Sequence, residues 1–396
     1  MIATPAKTPP RLVTLILLAA LSTMTLNMIL PSLAAIARTF EAEYAVASLA
    51  IGGYLAVTAV VQLVVGPLSD RIGRRPVLLG GLVIFILASV LCMVAQNIWV
   101  FLAARMAQSA MSMGYAISLA VVRDTTEPRR AASVIGTIGT IMAIAPILGP
   151  VLGGVLDTYL GWRASFVVYA LAGLAMLAWC WVDLGETRPE RADARPSAVS
   201  AARTLLRLPA FRAYLACTAL STGGFFAFLA GVPFVATETF GITTARLGFF
   251  IGSITAGYMA GSFISSRLAS GLALSTMMLA GRIVACTGLT CGLIALAFGI
   301  VTPLTFFGST ICVGMGNGLT MPSSNAGAMS VRPELAGSAA GFTGAATVAC
   351  GAILTSVAGI IVPGPHAPAT VLALMLAASL AALVAALAAR RHETTP

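Results

Sequence analysis

Apolar stretches long enough to cross a lipid bilayer recur along this whole chain. A membrane-spanning helix needs about 20 apolar residues, and 59% of the 396 residues are hydrophobic whereas only 9% are charged. Soluble domains do not have this composition. The sequence therefore predicts an all-α integral membrane protein, and Asn27 and Pro31 indicate that its first stretch is retained rather than cleaved as a signal peptide. Twelve transmembrane helices are expected, at about 12–37, 47–68, 76–95, 98–122, 133–156, 163–183, 210–236, 246–268, 273–300, 302–328, 336–362 and 367–389.

The basic residues predict the orientation, because cytoplasmic loops accumulate Lys and Arg. If the N-terminus is inside, the outer loops hold only Arg38, Arg163 and Arg246. Both termini are therefore expected in the cytoplasm. The net charge of +10 follows from this bias and from contact with anionic membrane lipid, so it requires no nucleic-acid partner.

A polar segment at 184–209 separates six apolar stretches from the other six. It is too short and too polar to be a domain, and it suits a flexible or partly helical connection along the membrane surface. The expected organisation is an N-terminal six-helix bundle (1–183), a cytoplasmic linker (184–209) and a C-terminal six-helix bundle (210–396). Two halves joined in this way suggest a duplicated unit.

Enzymatic or metal chemistry is not expected. The seven cysteines lie within apolar stretches without metal-ligand spacing, and they suit small packing residues. The two histidines, His366 and His392, offer neither a metal site nor a Ser/His/Asp arrangement. No cofactor is predicted.

Several motifs carry a resemblance to one family over nearly the full length. The segment 66–76 (GPLSDRIGRRP) resembles the signature loop of the major facilitator superfamily, and 145–154 (APILGPVLGG) is similar to the motif of its drug:proton antiporters. The segments 27–31, 105–124 and 333–338 are similar to the bicyclomycin and chloramphenicol resistance branch. This resemblance implies a monomeric twelve-helix transporter of a bacterial inner membrane. It would export small organic molecules by alternating access, usually against a proton gradient.

The charged segment 66–76 is interpreted as a conformational latch. Its glycines would let two helices approach and turn, and Asp70 would accept hydrogen bonds from a helix start or pair with an arginine. A solvated turn that obeys the positive-inside rule would explain the arginines alone. The expected latch consists of Gly66, Asp70, Arg71, Gly73 and Arg74.

The segment 145–154 gives the fifth helix a small-residue face with a kink, against which a helix of the other half could pack closely. Sliding there would gate the outer side, whereas the alternative is an ordinary helix contact. The residues of this antiporter motif are Pro146, Gly149, Pro150, Gly153 and Gly154.

Arg105 lies about seven residues inside a predicted helix, where a guanidinium usually faces the bundle interior or a water-filled cavity. Gln108, Ser112 and Tyr115 share its helical face. Snorkelling to the outer headgroups is the alternative for Arg105. For Arg282, snorkelling to the inner surface is the expectation.

None of the thirteen acidic residues lies in the middle of a predicted helix. The resistance branch usually carries an aspartate in the first helix where this chain has Asn27, and an amide does not titrate. Three routes remain open. Asp124 could carry the proton, which is the first hypothesis. Anions could exchange around Arg105, or the protein could be a facilitator that carries no ion.

Apolar and aromatic surfaces with a few amides are expected to line the substrate cavity, and they suit a neutral or lipophilic substrate. For each phenylalanine, a lipid-facing or core position is the alternative. An exporter or facilitator of a specific metabolite or organic anion, without proton coupling, and a non-transporting membrane sensor are the other functions considered. The expected cavity residues are Met24, Asn27, Met28, Tyr54, Arg105, Gln108, Tyr115, Phe225, Phe226, Phe228, Tyr258 and Asn317.

Overall fold

The computed structural model describes residues 10–187, 198–268 and 272–393, and these residues form helices joined by short connections. The fifteen α-helices of this part of the chain are α1 (Leu12–Asn27), α2 (Leu33–Thr39), α3 (Tyr44–Ile72), α4 (Arg74–Val94), α5 (Ile98–Ala107), α6 (Met113–Thr125), α7 (Pro128–Leu160), α8 (Arg163–Asp183), α9 (Ala198–Leu206), α10 (Pro209–Phe234), α11 (Thr244–Leu268), α12 (Leu274–Ala297), α13 (Pro303–Ser330), α14 (Ala336–Ile361) and α15 (Ala367–Glu393).

Within the described residues, nine helices are long and apolar enough to cross a membrane. An all-helical membrane protein is therefore confirmed. Three further helical segments are also long: α7, α13, and the unit of α5 and α6, which a 3₁₀ turn at Gln108–Ser112 joins. The short helix α9 lies inside the predicted linker, where Leu205 is fully buried among residues of the C-terminal half.

The predicted separation between the ninth and tenth helices is confirmed at Thr302 and Pro303. Helix α12 ends at Ala297, and α13 begins at Pro303. The Thr302 hydroxyl accepts a hydrogen bond from the backbone N–H of Thr305 at 3.2 Å. A threonine cap followed by proline at the first helical position is a strong helix start, and it keeps the two apolar segments apart.

The first apolar stretch is a broken helix. Helix α1 ends at Asn27, a 3₁₀ turn occupies Leu30–Ser32, and α2 follows. Proline lacks a backbone N–H and clashes with the preceding turn of an α-helix, so Pro31 explains why regular helix stops before it. This break is buried, and it lies against α7.

Glycines on α7 permit two close backbone contacts. A Cβ atom at Gly153 would overlap the carbonyl group of Met28, in the break of the first helix. A Cβ atom at Gly154 would overlap the carbonyl oxygen of Thr244, at the start of α11. Helix α7 is thus held between a helix of its own half and a helix of the other half.

The N-terminal half (10–187) and the C-terminal half (198–393) are in close contact at one end of the molecule. We call the end where α1 begins the near end, and the opposite end, where α3 and α11 begin, the far end. At the far end the Tyr44 hydroxyl donates a hydrogen bond to the carbonyl oxygen of Ala230 at 2.5 Å. The rings of Tyr44 and Phe234 also meet edge-on there, with centroids 5.2 Å apart.

We expect Gly153→Ala to destabilise the protein by about 3 kcal/mol or more, because the new methyl group would displace a backbone carbonyl rather than a flexible side chain. The melting temperature of the purified protein in detergent would report this loss. Gly80→Ala in α4 is the matched control, since a Cβ atom there meets no described atom within 4 Å. An unchanged melting temperature for Gly153→Ala would contradict the close contact.

Candidate functional site

Arg105 occupies the interior of the N-terminal half. Its side chain is fully buried, Nη1 donates to Oε1 of Gln108 at 2.8 Å, and Nη2 donates to the carbonyl oxygen of Thr25 at 2.8 Å. Nε donates to the carbonyl oxygen of Ala50 at 3.2 Å. The guanidinium carbon also lies 4.4 Å from the ring centroid of Tyr54. Arg105 therefore does not snorkel, and its hydrogen bonds link α5 to α1 and α3.

Gln108 extends this network to α4. Its Nε2 donates to Oγ of Ser89 at 2.7 Å, and the Ser89 hydroxyl donates to the carbonyl oxygen of Phe85 at 2.6 Å. A buried polar group without a partner costs more than one that is paired. Within the polar stripe predicted from the sequence, Arg105 and Gln108 thus share a hydrogen-bonded network, whereas Oγ of Ser112 is buried without a hydrogen-bond partner in the described part of the chain.

A cavity of about 380 Å³ lies between the two halves. Tyr115 and Pro146 line it from the N-terminal half. Four of its lining residues were predicted as cavity residues: Tyr115, Phe225, Tyr258 and Asn317. Thr222, Met321 and Asn325 line it as well and were missed, although their positions on the same helices as Phe225 and Asn317 could have indicated them.

The other expected cavity residues do not line this cavity. Asn27 is buried, and its Nδ2 donates to the carbonyl oxygen of Thr23 at 2.8 Å. Phe228 is fully buried and packs edge-on against Phe307. Phe226 is buried as well, so both rings lie in the packed interior while Phe225 lines the cavity, because successive residues of a helix face different directions. Met24, Met28, Tyr54, Arg105 and Gln108 also lie outside the lining of this cavity.

The position of Arg282 differs from the one expected from the sequence. It is fully buried rather than extended to the inner surface. Its Nη2 donates to Oδ1 of Asn317 at 2.6 Å, and its Nε donates to Oγ1 of Thr320 at 3.0 Å. Hydrogen-bond acceptors on the neighbouring helix α13 hold the guanidinium inside. The sequence around Arg282 does not indicate these acceptors, because they belong to another helix.

The latch segment forms a compact turn at the near end. Helix α3 ends at Ile72, and Gly73 has φ +116° before α4 begins. Arg74 pairs with Asp70 at 2.8 Å, and it also donates to the hydroxyl of Ser69 at 2.7 Å. Of the two roles proposed for Asp70, the structure contains the ion pair with an arginine.

Glu186 caps the start of α4 and was missed from the sequence. Its carboxylate accepts hydrogen bonds from the backbone N–H groups of Arg74 at 2.9 Å and Arg75 at 3.3 Å. A carboxylate at a helix N-terminus stabilises the helix by pairing its free N–H groups. At Gly66, by contrast, a Cβ atom would meet no described atom within 4 Å.

Asp124 lies one residue before the end of α6, and its side chain falls outside the described part of the chain. In the described segments, no group of three or more His, Cys, Asp or Glu side chains is arranged to hold a metal ion. What the described geometry offers is therefore a cavity between two halves, with the buried Arg282 bonded to one of its lining residues, Asn317.

The family model for the Major Facilitator Superfamily matches residues 15–356. The chain belongs to this superfamily. An uncharacterized MFS-type transporter of Bacillus subtilis, YdgK, is 28% identical over 352 residues, which cover 87% of each chain. Multidrug resistance protein MdtL of Escherichia coli is 31% identical over 80% of this chain and 81% of its own. A chloramphenicol resistance protein of Pseudomonas aeruginosa is 33% identical over 58% of this chain and 54% of its own.

Solved structures of a bacterial homologue of the human lysosomal transporter Spinster share the fold. The inward-facing unoccupied form has a TM-score of 0.76 over 96% of each chain, at 15% identity. The inward-facing occupied form has a TM-score of 0.77 over 99% of this chain and 98% of that one. As a member of the Major Facilitator Superfamily, the protein is a membrane transporter and not an enzyme.

We expect Arg105→Met to lower the free energy of unfolding of this protein by about 2 kcal/mol or more. The change removes hydrogen bonds from a charged donor and leaves a buried amide oxygen and two carbonyls without that partner. Melting temperatures in detergent would measure the effect. Arg246→Met is the matched control, because Arg246 is exposed. Equal melting temperatures for the two variants would contradict a structural role for the Arg105 network.

Proposed function

We propose that this major facilitator exports small organic molecules, including drugs, from the cell by alternating access, with protons moving in the opposite direction. The observation that carries the proposal is the cavity between the halves, which residues of both halves line. A site shared by two rigid units can open to either side when one unit rocks against the other.

The proposed architecture has twelve transmembrane helices in two bundles, at 1–183 and 210–396, with the cytoplasmic linker 184–209 between them. We place the protein in a bacterial inner membrane as a monomer, with both termini in the cytoplasm. The distribution of basic residues supports this orientation. The far end then faces the outside, and the structure corresponds to a state whose outer side is closed.

The antiporter motif would act as the outer gate. A Cβ atom at Gly154 would overlap the carbonyl oxygen of Thr244, and one at Gly248 would lie 2.5 Å from the carbonyl oxygen of Pro150. Through this backbone contact, α7 and α11 pack on small-residue faces. The two helices could separate there and later return to the same packing. The latch of Asp70 and Arg74 would act at the inner side.

The names of two relatives, a multidrug resistance protein and a chloramphenicol resistance protein, support a drug as substrate. The lining of the cavity supports a neutral molecule. Aromatic rings of Tyr115, Phe225 and Tyr258 line it together with the amides of Asn317 and Asn325, and no carboxylate is among its described lining residues. A cationic substrate would lack a counter-charge there.

Asp124 remains our first candidate for the proton carrier, since the first helix has Asn27 in place of an acid. Its place at the end of α6 would let it exchange protons with the cytoplasm. The same Asn27 favours a second function, the export or facilitated passage of a specific metabolite or organic anion without proton coupling.

We expect everted vesicles that contain the protein to accumulate chloramphenicol when an inward-acid pH gradient is imposed, and Asp124→Asn to abolish this accumulation. An amide cannot bind and release the proton that drives uphill transport. Uptake of radiolabelled chloramphenicol, with and without the gradient, is the measurement. Glu127→Gln is the matched control, because Glu127 is exposed and lies close by in the chain.

The outcomes separate the two functions. Accumulation that survives in Asp124→Asn would exclude Asp124 as the carrier. Equilibration of chloramphenicol without accumulation in the unaltered protein would favour facilitated passage. The absence of any uptake would remove chloramphenicol as a substrate and favour a specific metabolite.

We expect Tyr44→Phe to shift the protein away from the state that is closed at the far end. The change removes one hydrogen bond between the halves, worth about 1 kcal/mol, which corresponds to a population change of about fivefold. Spin labels at Glu41 and Glu238, which are exposed at the far end in different halves, would report the distance distribution in a cysteine-free background. Tyr159→Phe is the control, since Tyr159 is 77% exposed. An identical distribution in Tyr44→Phe would rule out this contact as a gate.

A further inference from the structure

We infer that Arg282, which lies behind the cavity, fixes the side-chain amide of Asn317 as a hydrogen-bond donor toward the transported molecule. The ligand class that follows is a neutral molecule with an acceptor oxygen, such as a carbonyl, nitro or sulfonyl group. This inference rests on the proposed function, because it concerns the same cavity. Arg282 is in this sense a positioning residue.

The position of the guanidinium is set by close packing between α12 and α13. Cβ atoms at Gly281 and Gly316 would each overlap the carbonyl oxygen of the other residue. Side by side with this contact, Arg282 donates to Oδ1 of Asn317 at 2.6 Å and to Oγ1 of Thr320 at 3.0 Å. Two hydrogen bonds from one planar group allow it little rotation.

The guanidinium decides which way the Asn317 amide points. An arginine can only donate hydrogen bonds, and the amide nitrogen of an asparagine can only donate. The atom of Asn317 that faces Arg282 must therefore be its oxygen. The amide nitrogen is turned away, and it donates one hydrogen to the carbonyl oxygen of Ser221 at 3.3 Å. Its second N–H is left for a molecule in the cavity, which Asn317 lines.

The charge of Arg282 strengthens this donor. In the described part of the chain, Nη1 of Arg282 is buried without a hydrogen-bond partner, and Nε and Nη2 donate to neutral side chains rather than to a carboxylate. The positively charged guanidinium, bonded to the amide oxygen of Asn317, polarises the amide and makes its N–H a better donor. The same positive charge disfavours a cationic ligand in a medium of low dielectric constant.

A ligand-free experiment tests the orientation. The chain has four asparagines, Asn27, Asn97, Asn317 and Asn325, so protein labelled with ¹⁵N-asparagine gives four side-chain amide pairs by NMR. We expect Arg282→Met to shift the Asn317 pair, which Asn317→Asp identifies by its loss. Arg267→Met should leave that pair in place, because Arg267 is exposed and lies over the ring of Phe263. An unshifted Asn317 pair in Arg282→Met would overturn the inference.

Transport kinetics test the donor itself. Asn317→Asp keeps the size of the side chain and its pairing with Arg282, but it replaces the N–H donor with oxygen. We expect the KM for chloramphenicol to rise about tenfold, as for the loss of one charge-assisted hydrogen bond, while kcat changes by less than about twofold. Arg282→Met should raise KM in the same way, and Arg282→Lys should restore part of the loss because an ammonium group also only donates.

The controls keep the two proposals apart. Arg267→Met should retain the KM of the unaltered protein. An unchanged KM in Asn317→Asp would overturn the donor role even if export proceeds normally. If the unaltered protein transports no chloramphenicol, the proposed substrate fails, whereas the NMR experiment still decides whether Arg282 fixes the amide.

Discussion

The close backbone contact of α7 with its two neighbours is the constraint on which the rest of the structure depends. Gly153 admits the broken first helix, and Gly154 admits the start of α11 from the other half. Between helices in a membrane, packing of small residues replaces the hydrophobic effect as a source of association. One helix thereby fixes both the interior of its own half and the contact between halves.

Two buried arginines show how polar groups are accommodated in this apolar chain. Arg105 and Arg282 are each fully buried, and each donates to backbone or neutral side-chain acceptors. A buried charge is tolerated only when hydrogen bonds satisfy it. Both sites therefore require neighbouring helices to be in place, and Arg282 also couples the stability of its half to the geometry of the cavity, because it bonds to the lining residue Asn317.

The tightest contacts between the halves lie toward the far end, and the latch lies at the near end. Tyr44 bonds to Ala230 across the halves, whereas Asp70 and Arg74 pair within one half. A transporter that alternates between two states needs contacts that are made in one state and broken in the other. This asymmetry gives the proposed cycle a physical basis, since opening the far end must break the Tyr44 contact.

The sequence by itself determined the membrane class, the helix positions within a few residues, and the superfamily, because hydropathy over 20 residues and short motifs are local properties. It also indicated an interior position for Arg105. Only the tertiary structure decided that Arg282 is buried, that Glu186 caps α4, and that Phe225 rather than Phe228 lines the cavity. The physical reason is that each of these depends on partners from other helices. The spacing of residues in the sequence indicates which face of a helix a side chain lies on. It does not indicate which hydrogen-bond acceptor on another helix packs against that face.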